Sequence, residues 1–295
     1  MLDSEIAAIR TFLAAIPPNR DIAAMRAGYD AIGDQFPCAA DVSRDQTTVD
    51  GIAVEWTWTP GAARDAVLLY LHGGGYVIGS IASHRHLVSE LGRAAGVQTL
   101  AIDYRLAPEA VFPAAVDDAL TAYRWLLAQG YAANRIAVAG DSAGGGLAVA
   151  LLVAIKTAGL AQPACAVPIS PWVDLAVCSA SMTSKAAADP MVQRAGLIEM
   201  AALYLGDAAA ASPLASPIHA DLAGVAPMLI QVGSEEVLFD DAVRLAAVAG
   251  AAQVAVRLEI APEMIHVWHF FHPMLAPARA AIATAGGFIA GHLGR

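Results

Sequence analysis

A chain of 295 residues, 57% hydrophobic and 15% charged, can bury enough apolar surface to offset the entropy of ordering it, which excludes wholesale disorder. Its length permits one large α/β domain or two smaller ones. The formal net charge of -10, with 17 basic residues scattered rather than gathered into a stripe, argues against nucleic acid and an anionic membrane surface as partners.

The opening segment, MLDSEIAAIR, places Asp3 and Glu5 where a secretory signal would be basic, so no export signal of that type is expected. Ile6, Ile9, Phe12, Leu13 and Ile16 recur along one helical face, and Pro17-Pro18 is expected to end that helix. A second helix is expected from Asp21 towards Phe36. The pair lacks the Lys/Arg-rich polar face of a membrane-surface anchor, so it is expected to pack against the main body. Beyond it, strands are read at 54–59, 66–71, 97–102, 135–139, 165–169, 227–232 and 254–260, with helix-length segments between most of them. Such alternation predicts an α/β fold with a mostly parallel sheet covered on both faces.

Ala143 to Ile155, the longest apolar stretch, is about thirteen residues, short of the roughly 20 needed to span a bilayer, and reads as a buried core helix. The segment 178–215 breaks the rhythm. It is Ala- and Ser-rich, carries Met182, Met191 and Met200, and reads as an insertion above the sheet with a soft apolar underside. Cys38, Cys165 and Cys178, odd in number and far apart, fit reduced thiols in a cytoplasmic protein rather than a disulfide frame or zinc site. An edge strand at 254–260 would offer a template for a homodimer. No internal repeat is present.

Chemistry enters with RIAVAGDSAGGG. A strand runs into Gly140-Asp141-Ser142-Ala143-Gly144 and then a helix, the context in which Gly-x-Ser-x-Gly holds a serine exposed on a strained turn. Small residues at 140 and 144 let strand and helix approach closely. The hydroxyl needs a base, and the base an orienting carboxylate. GSEEVLFDD, after the strand at 227–232, offers Glu235, Glu236, Asp240 and Asp241; APEMIHVWHFFHPM, after the last strand, offers His266, His269 and His272. The order serine, acid, histidine is that of an α/β-hydrolase. An oxyanion formed on attack requires preorganised donors, and the glycines of LLYLHGGGYVIGS bring the backbone close enough, so the N–H groups of Gly73, Gly74 and Ala143 are expected to supply them. A dinucleotide fold would also place glycines after strands, but Ile78 stands where the third glycine belongs, and Ser142 takes the middle position in GDSAGG.

HGGGY at 72–76, DYRLAPE at 103–109 and GDSAGG at 140–145 resemble the signatures of the hormone-sensitive-lipase-like carboxylesterases, a branch of the α/β-hydrolase fold. The resemblance runs from about residue 50 onward. It implies a sheet of about eight strands, an esterase of short- to medium-chain acyl substrates, and a helical cap made from residues 1–45 and 178–215 over a catalytic domain of 46–177 and 216–295. The family's acid motif, Asp-Pro-Leu followed by two acids, falls on Glu236-Val237-Leu238 and Asp240-Asp241, which implies Glu236 as the acid. His266 matches the family's base. Asp240 and Asp241 then read as first-turn acids of the next helix, and Glu235 as solvated.

The same resemblance implies a loop-steadying role for His72 and a buried polar cluster of Asp103, Arg105 and Glu109. Asp141, Tyr76, Trp172, Asp189 and Tyr204 are expected around the substrate. His269 and His272 lack a local carboxylate or cysteine to complete a metal site and are read as packing, while His84 and His86 are expected at the surface. No metal or organic cofactor is implied. A lactone, as an internal ester, needs the same machinery and is the alternative substrate. A non-catalytic binding protein on the same fold would be expected to lack a triad member, and all three are present.

Overall fold

The apolar runs do form the sheet, and its register decides where the loops meet. The computed structural model describes residues 2–16 and 19–295, so the helix stop expected at Pro17-Pro18 lies outside the described residues. Helices α1 (Leu2–Ala14) and α2 (Ile22–Asp34) come first. Asp21 caps α2, its side chain accepting the Ala24 N–H at 2.8 Å.

A hairpin follows, β1 (Ser43–Val49) and β2 (Ile52–Trp58), turning through Asp50 and Gly51 at φ 49° and 86°. Then come β3 (Ala63–Leu71), α3 (Ile81–Ala95), β4 (Val97–Asp103), α4 (Ala114–Ala128), β5 (Ile136–Asp141), α5 (Ala143–Thr157) and β6 (Cys165–Ile169). After a long connection holding α6 (Ser181–Ser184) and α7 (Arg194–Leu205), the chain returns as β7 (Met228–Gly233), α8 (Phe239–Ala251), β8 (Val256–Ala261) and α9 (Ala276–His292).

The eight strands form one sheet in the order β1-β2-β4-β3-β5-β6-β7-β8. β1, β2 and β4 pair antiparallel in succession; every other pairing is parallel. Strand alternation divides the core. On β3, Val67, Leu69 and Leu71 join the cluster under α4, α5 and α8, while Ala66, Leu68 and Tyr70 join the one under α3 and α9. Helix α5 is buried continuously from Ala143 to Ile155, as a helix beneath several layers must be. Because β3, β5 and β7 run parallel, the loops that follow them emerge at one edge of the sheet, where α/β folds place their ligands.

The N-terminal helices rest on that body. Arg26 on α2 makes a bidentate pair with Glu109, at 2.8 and 2.7 Å, and also donates to the carbonyls of Val77 and Ala107. Arg10 on α1 donates to the Ala188 carbonyl in the β6–β7 connection at 2.8 Å. No helix among the described residues is long and apolar enough to cross a membrane.

Three expectations need correction here. Strand β1 was not among those read, because six of its seven residues face solvent and leave no apolar alternation. His84 and His86 are buried, not at the surface: α3 is wedged between the sheet and the segment around Phe270, and His86 Nε2 lies 3.0 Å from the Phe270 carbonyl. Burial holds the His86 imidazole down to about 3, hence neutral. Arg105 and Glu109 are exposed and pair outward, with Asp118 and Arg26, so they form no buried cluster with Asp103.

Candidate active site

Ser142 occupies the single residue between β5 and α5, at φ 54° and ψ -120°, a conformation in which a side chain is strained. The turn closes only because its flanks are small. A Cβ on Gly140 would lie 2.3 Å from the Gly144 carbonyl oxygen, and one on Gly144 would lie 2.0 Å from that of Leu71. The Ser142 N–H donates to the Ile169 carbonyl at 2.8 Å, and its own carbonyl accepts the Trp172 N–H at 2.9 Å, so the elbow is pinned to the end of β6.

Glu236, in the loop between β7 and α8, is wholly buried. Its Oε1 accepts from the Ser170 hydroxyl at 2.7 Å and the Gly233 N–H at 2.5 Å; its Oε2 faces His266 Nδ1 at 2.8 Å. Burial pushes the carboxyl up, against these bonds. His266 follows β8 and is likewise buried; burial alone would lower its pKa, but the bond to Glu236 and its charge prevail and raise it above 6.5. A carboxylate only accepts, so the shared proton sits on His266 Nδ1 and leaves Nε2 as the free nitrogen.

Ser142 and His266 line the same cavity, of about 160 Å³. Gly74 and Gly75, at φ 115° and 62°, form part of its wall. The N–H groups of Gly74, Gly75 and Ala143 make no hydrogen bond among the described residues. Gly73 is different. Its N–H donates to Asp141 Oδ1 at 3.0 Å, and a Cβ there would lie 2.2 Å from Asp141 Oδ2. The expectation that Gly73 supplies an oxyanion donor is therefore corrected: its N–H is turned inward onto a carboxylate, and Gly75 takes its place on the cavity wall.

The other expected residues also have definite places. Asp141, fully buried, accepts from the Tyr70 hydroxyl at 2.7 Å and faces His84 Nε2 at 3.3 Å. Burial would raise its pKa, but the charge and hydrogen bonds of His84, then Tyr70, carry it below 3.8. His72 Nδ1 lies 2.8 Å from the Gly73 carbonyl, and the ring stacks on Tyr104 at 4.2 Å. Tyr76 and Tyr204 stack on each other at 3.8 Å, 5° from parallel. Trp172 is buried beside Tyr76. Asp189 accepts the N–H groups of Met191, Val192 and Val237. None of Asp141, Tyr76, Trp172, Asp189 or Tyr204 lines the cavity; all five are buried in the protein fabric around it.

The walls come instead from Tyr29 on α2, Ile78, and Met191, Gly196, Leu197 and Met200 of the β6–β7 connection. Sequence reading also missed Ser170, which donates to Glu236 and accepts the Val267 N–H at 3.1 Å, tying the acid to the histidine loop. Its only signal was a small polar residue directly after β6. Asp240 and Asp241 do stand in the first turn of α8, and Asp240 accepts the Ser181 N–H at 2.8 Å. His269 Nε2 pairs with Gln231 Oε1 at 3.0 Å, and His272 stacks on His86.

Eight strands in this order, with the serine at the turn after β5 and the histidine after β8, define the α/β-hydrolase fold. A family model described as the alpha/beta hydrolase fold matches residues 68–270. The acetyl-hydrolase of Streptomyces hygroscopicus is 49% identical over 271 residues, 92% of this chain and 90% of that protein. The ethyl acetate hydrolase of Pseudomonas putida is 38% identical over 79% of this chain and 76% of its own length. A crystal structure of an esterase from the bacterial hormone-sensitive lipase family superposes with a TM-score of 0.95 at 46% identity, covering 99% of this chain and 98% of that one. The chain belongs to the hormone-sensitive-lipase-like esterases of the α/β-hydrolase fold.

Proposed function

We propose that this carboxylic ester hydrolase works through Ser142 as nucleophile, His266 as general base and Glu236 as the acid that orients it, with neutral esters of short acyl chains as substrates. The observation that carries the reading is the buried Glu236–His266 pair, 2.8 Å across, opening on the same cavity as the strained serine. With its Nδ1 proton held by Glu236, His266 takes the Ser142 proton through Nε2 as Oγ attacks the ester carbonyl. The oxyanion is received by the N–H groups of Gly74, Gly75 and Ala143, each worth on the order of 3 kcal/mol at the transition state. Collapse expels the alcohol, protonated by His266, and leaves an acyl-serine. Water activated by the same histidine then releases the acid.

Short acyl groups are supported by the small cavity and by relatives named for acetyl and ethyl acetate hydrolysis. Three free cysteines support a reducing compartment, the cytoplasm. Initial rates on p-nitrophenyl esters from acetate to palmitate test the proposal. Activity should concentrate on the short chains and fall by about 10⁶ in kcat in purified Ser142→Ala. Turnover by the folded alanine variant at near the parent rate would refute the assignment.

A further inference from the structure

Helix α7 lays one stripe along the catalytic cavity: Gln193 at its N-cap, then Gly196, Leu197 and Met200, spaced as one helical face. The middle of that stripe is a glycine, and its surroundings set it apart from the others at the site. Gly75 is required both by its φ of 62° and by Met200, whose Sδ would lie 2.1 Å from a Cβ there. Gly196 has ordinary helical backbone, and a Cβ built on it meets no atom within 4 Å. Neither backbone conformation nor packing asks for glycine, and within a helix glycine is less favourable than alanine. What its missing side chain does provide is room. Gly196 is exposed whereas Leu197 beside it is buried, so the room lies where the cavity meets solvent. Around it stand apolar walls, Ile78, Met191, Val192 and Met200, and no Asp, Glu, Lys or Arg lines the cavity among the described residues.

We propose that Gly196 is a specificity-determining position: its absent side chain holds the mouth of the cavity open for the bulkier half of an uncharged ester. The inference rests on the esterase reading above and deepens it. A side chain added at 196 would enter the open space beside the cavity, where its Cβ meets no atom within 4 Å, and would narrow the mouth without changing Ser142, His266 or the glycine loop.

The test uses the full chain carrying Gly196→Ala, Gly196→Leu, and Gly287→Ala as a control. Gly287 is an exposed glycine within α9, equally free of neighbours and away from the cavity. Two ester series are assayed, one lengthening the acyl group on a fixed alcohol and one enlarging the alcohol on a fixed acetyl group, together with a p-nitrophenyl hemisuccinate. Both alanine variants should melt at a higher temperature than the parent. Gly196→Leu should lower kcat/KM on the bulkiest members of one series about tenfold or more relative to its own value on the acetate of the smallest alcohol. The series that suffers names the half of the substrate that crosses residue 196. A lowered melting temperature in Gly196→Ala would overturn the inference by revealing a packing role. So would an unchanged profile of Gly196→Leu in both series, or a hemisuccinate turned over as well as the neutral esters. A folded parent inactive on every ester would overturn the esterase reading as well.

Discussion

Among the described residues, two carboxylates are completely buried beside a histidine, and one of those pairs faces the cavity. Glu236 holds His266 at 2.8 Å; Asp141, next to the serine, lies 3.3 Å from His84. Each carboxylate also accepts a hydroxyl and a backbone N–H, from Ser170 and Gly233 in one case and from Tyr70 and Gly73 in the other. The difference lies at the far side of the imidazole. His84 Nδ1 is 2.8 Å from the Ser83 hydroxyl within the core, whereas His266 stands in the cavity wall with Ser142. The carboxylate–imidazole contact is therefore common to both, and what separates the two histidines is whether the ring reaches the cavity. The Asp141 pair braces the glycine loop, since it holds the Gly73 N–H while Gly74 and Gly75 line the cavity.

Breaking the first pair should have the larger effect. Glu236→Gln keeps the shape but removes the charge that lifts His266 above 6.5, and kcat/KM is expected to fall by about 10³ to 10⁴. The pH profile carries the sign. A base must be neutral to act, so the parent's activity rises with pH through a midpoint above 6.5, and in the variant, where the charge of Glu236 no longer opposes burial and only the weaker pull of Asp189 and Asp141 remains, the residual activity should rise at lower pH. Asp240→Ala, by contrast, should stay within about twofold of the parent, because that acid binds the Ser181 N–H and not the histidine. Reversal of those two outcomes would move the acid to Asp240.

Breaking the second pair should cost less and appear elsewhere. Asp141→Asn leaves the triad in place but loosens the hold on the Gly73 N–H, so kcat is expected to drop by about tenfold to a hundredfold with KM little changed. Steady-state kinetics on p-nitrophenyl acetate separates the two parameters. A rise in KM at unaltered kcat would mean that the brace shapes ground-state binding instead.

These pairs also mark how far the sequence could be read. That Ser142, Glu236 and His266 come together was legible because each motif sits immediately after a strand, where parallel topology brings loop residues together whatever lies between. The HGGG loop was legible as part of the cavity wall but not in its register. Three consecutive glycines look alike until the Asp141 side chain, 68 residues away, is seen to take the N–H of the first. Strand β1 was hidden for a physical reason as well, since an edge strand wet on both sides carries no alternation, though Asp50-Gly51 between Val49 and Ile52 was a turn signal for the hairpin. The pocket walls failed most. Tyr76 and Tyr204, expected around the substrate, stack on each other outside the cavity wall, which is made by Tyr29 on α2 together with Met191 and Met200, two of the methionines expected under the insertion.

A third buried carboxylate, one without a histidine, sharpens the comparison further. Asp241 Oδ2 accepts the N–H groups of Val173 and Asp174 at 3.0 and 3.1 Å, but Oδ1 has no hydrogen-bond partner among the described residues, and burial pushes the carboxyl up to about 7. The folded protein thus holds a proton on Asp241 that the unfolded chain, with its ordinary value of 3.8, releases. Stability from this group is full below pH 3.8, declines as pH rises through about 7, and is gone above it, a swing on the order of 4 kcal/mol. Asp241→Asn keeps an acceptor for the two N–H groups and cannot ionise, so its melting temperature should exceed the parent's at pH 8 and approach it near pH 4. Equal differences at both pH values would show that the N–H bonds, rather than the desolvated charge, govern this site.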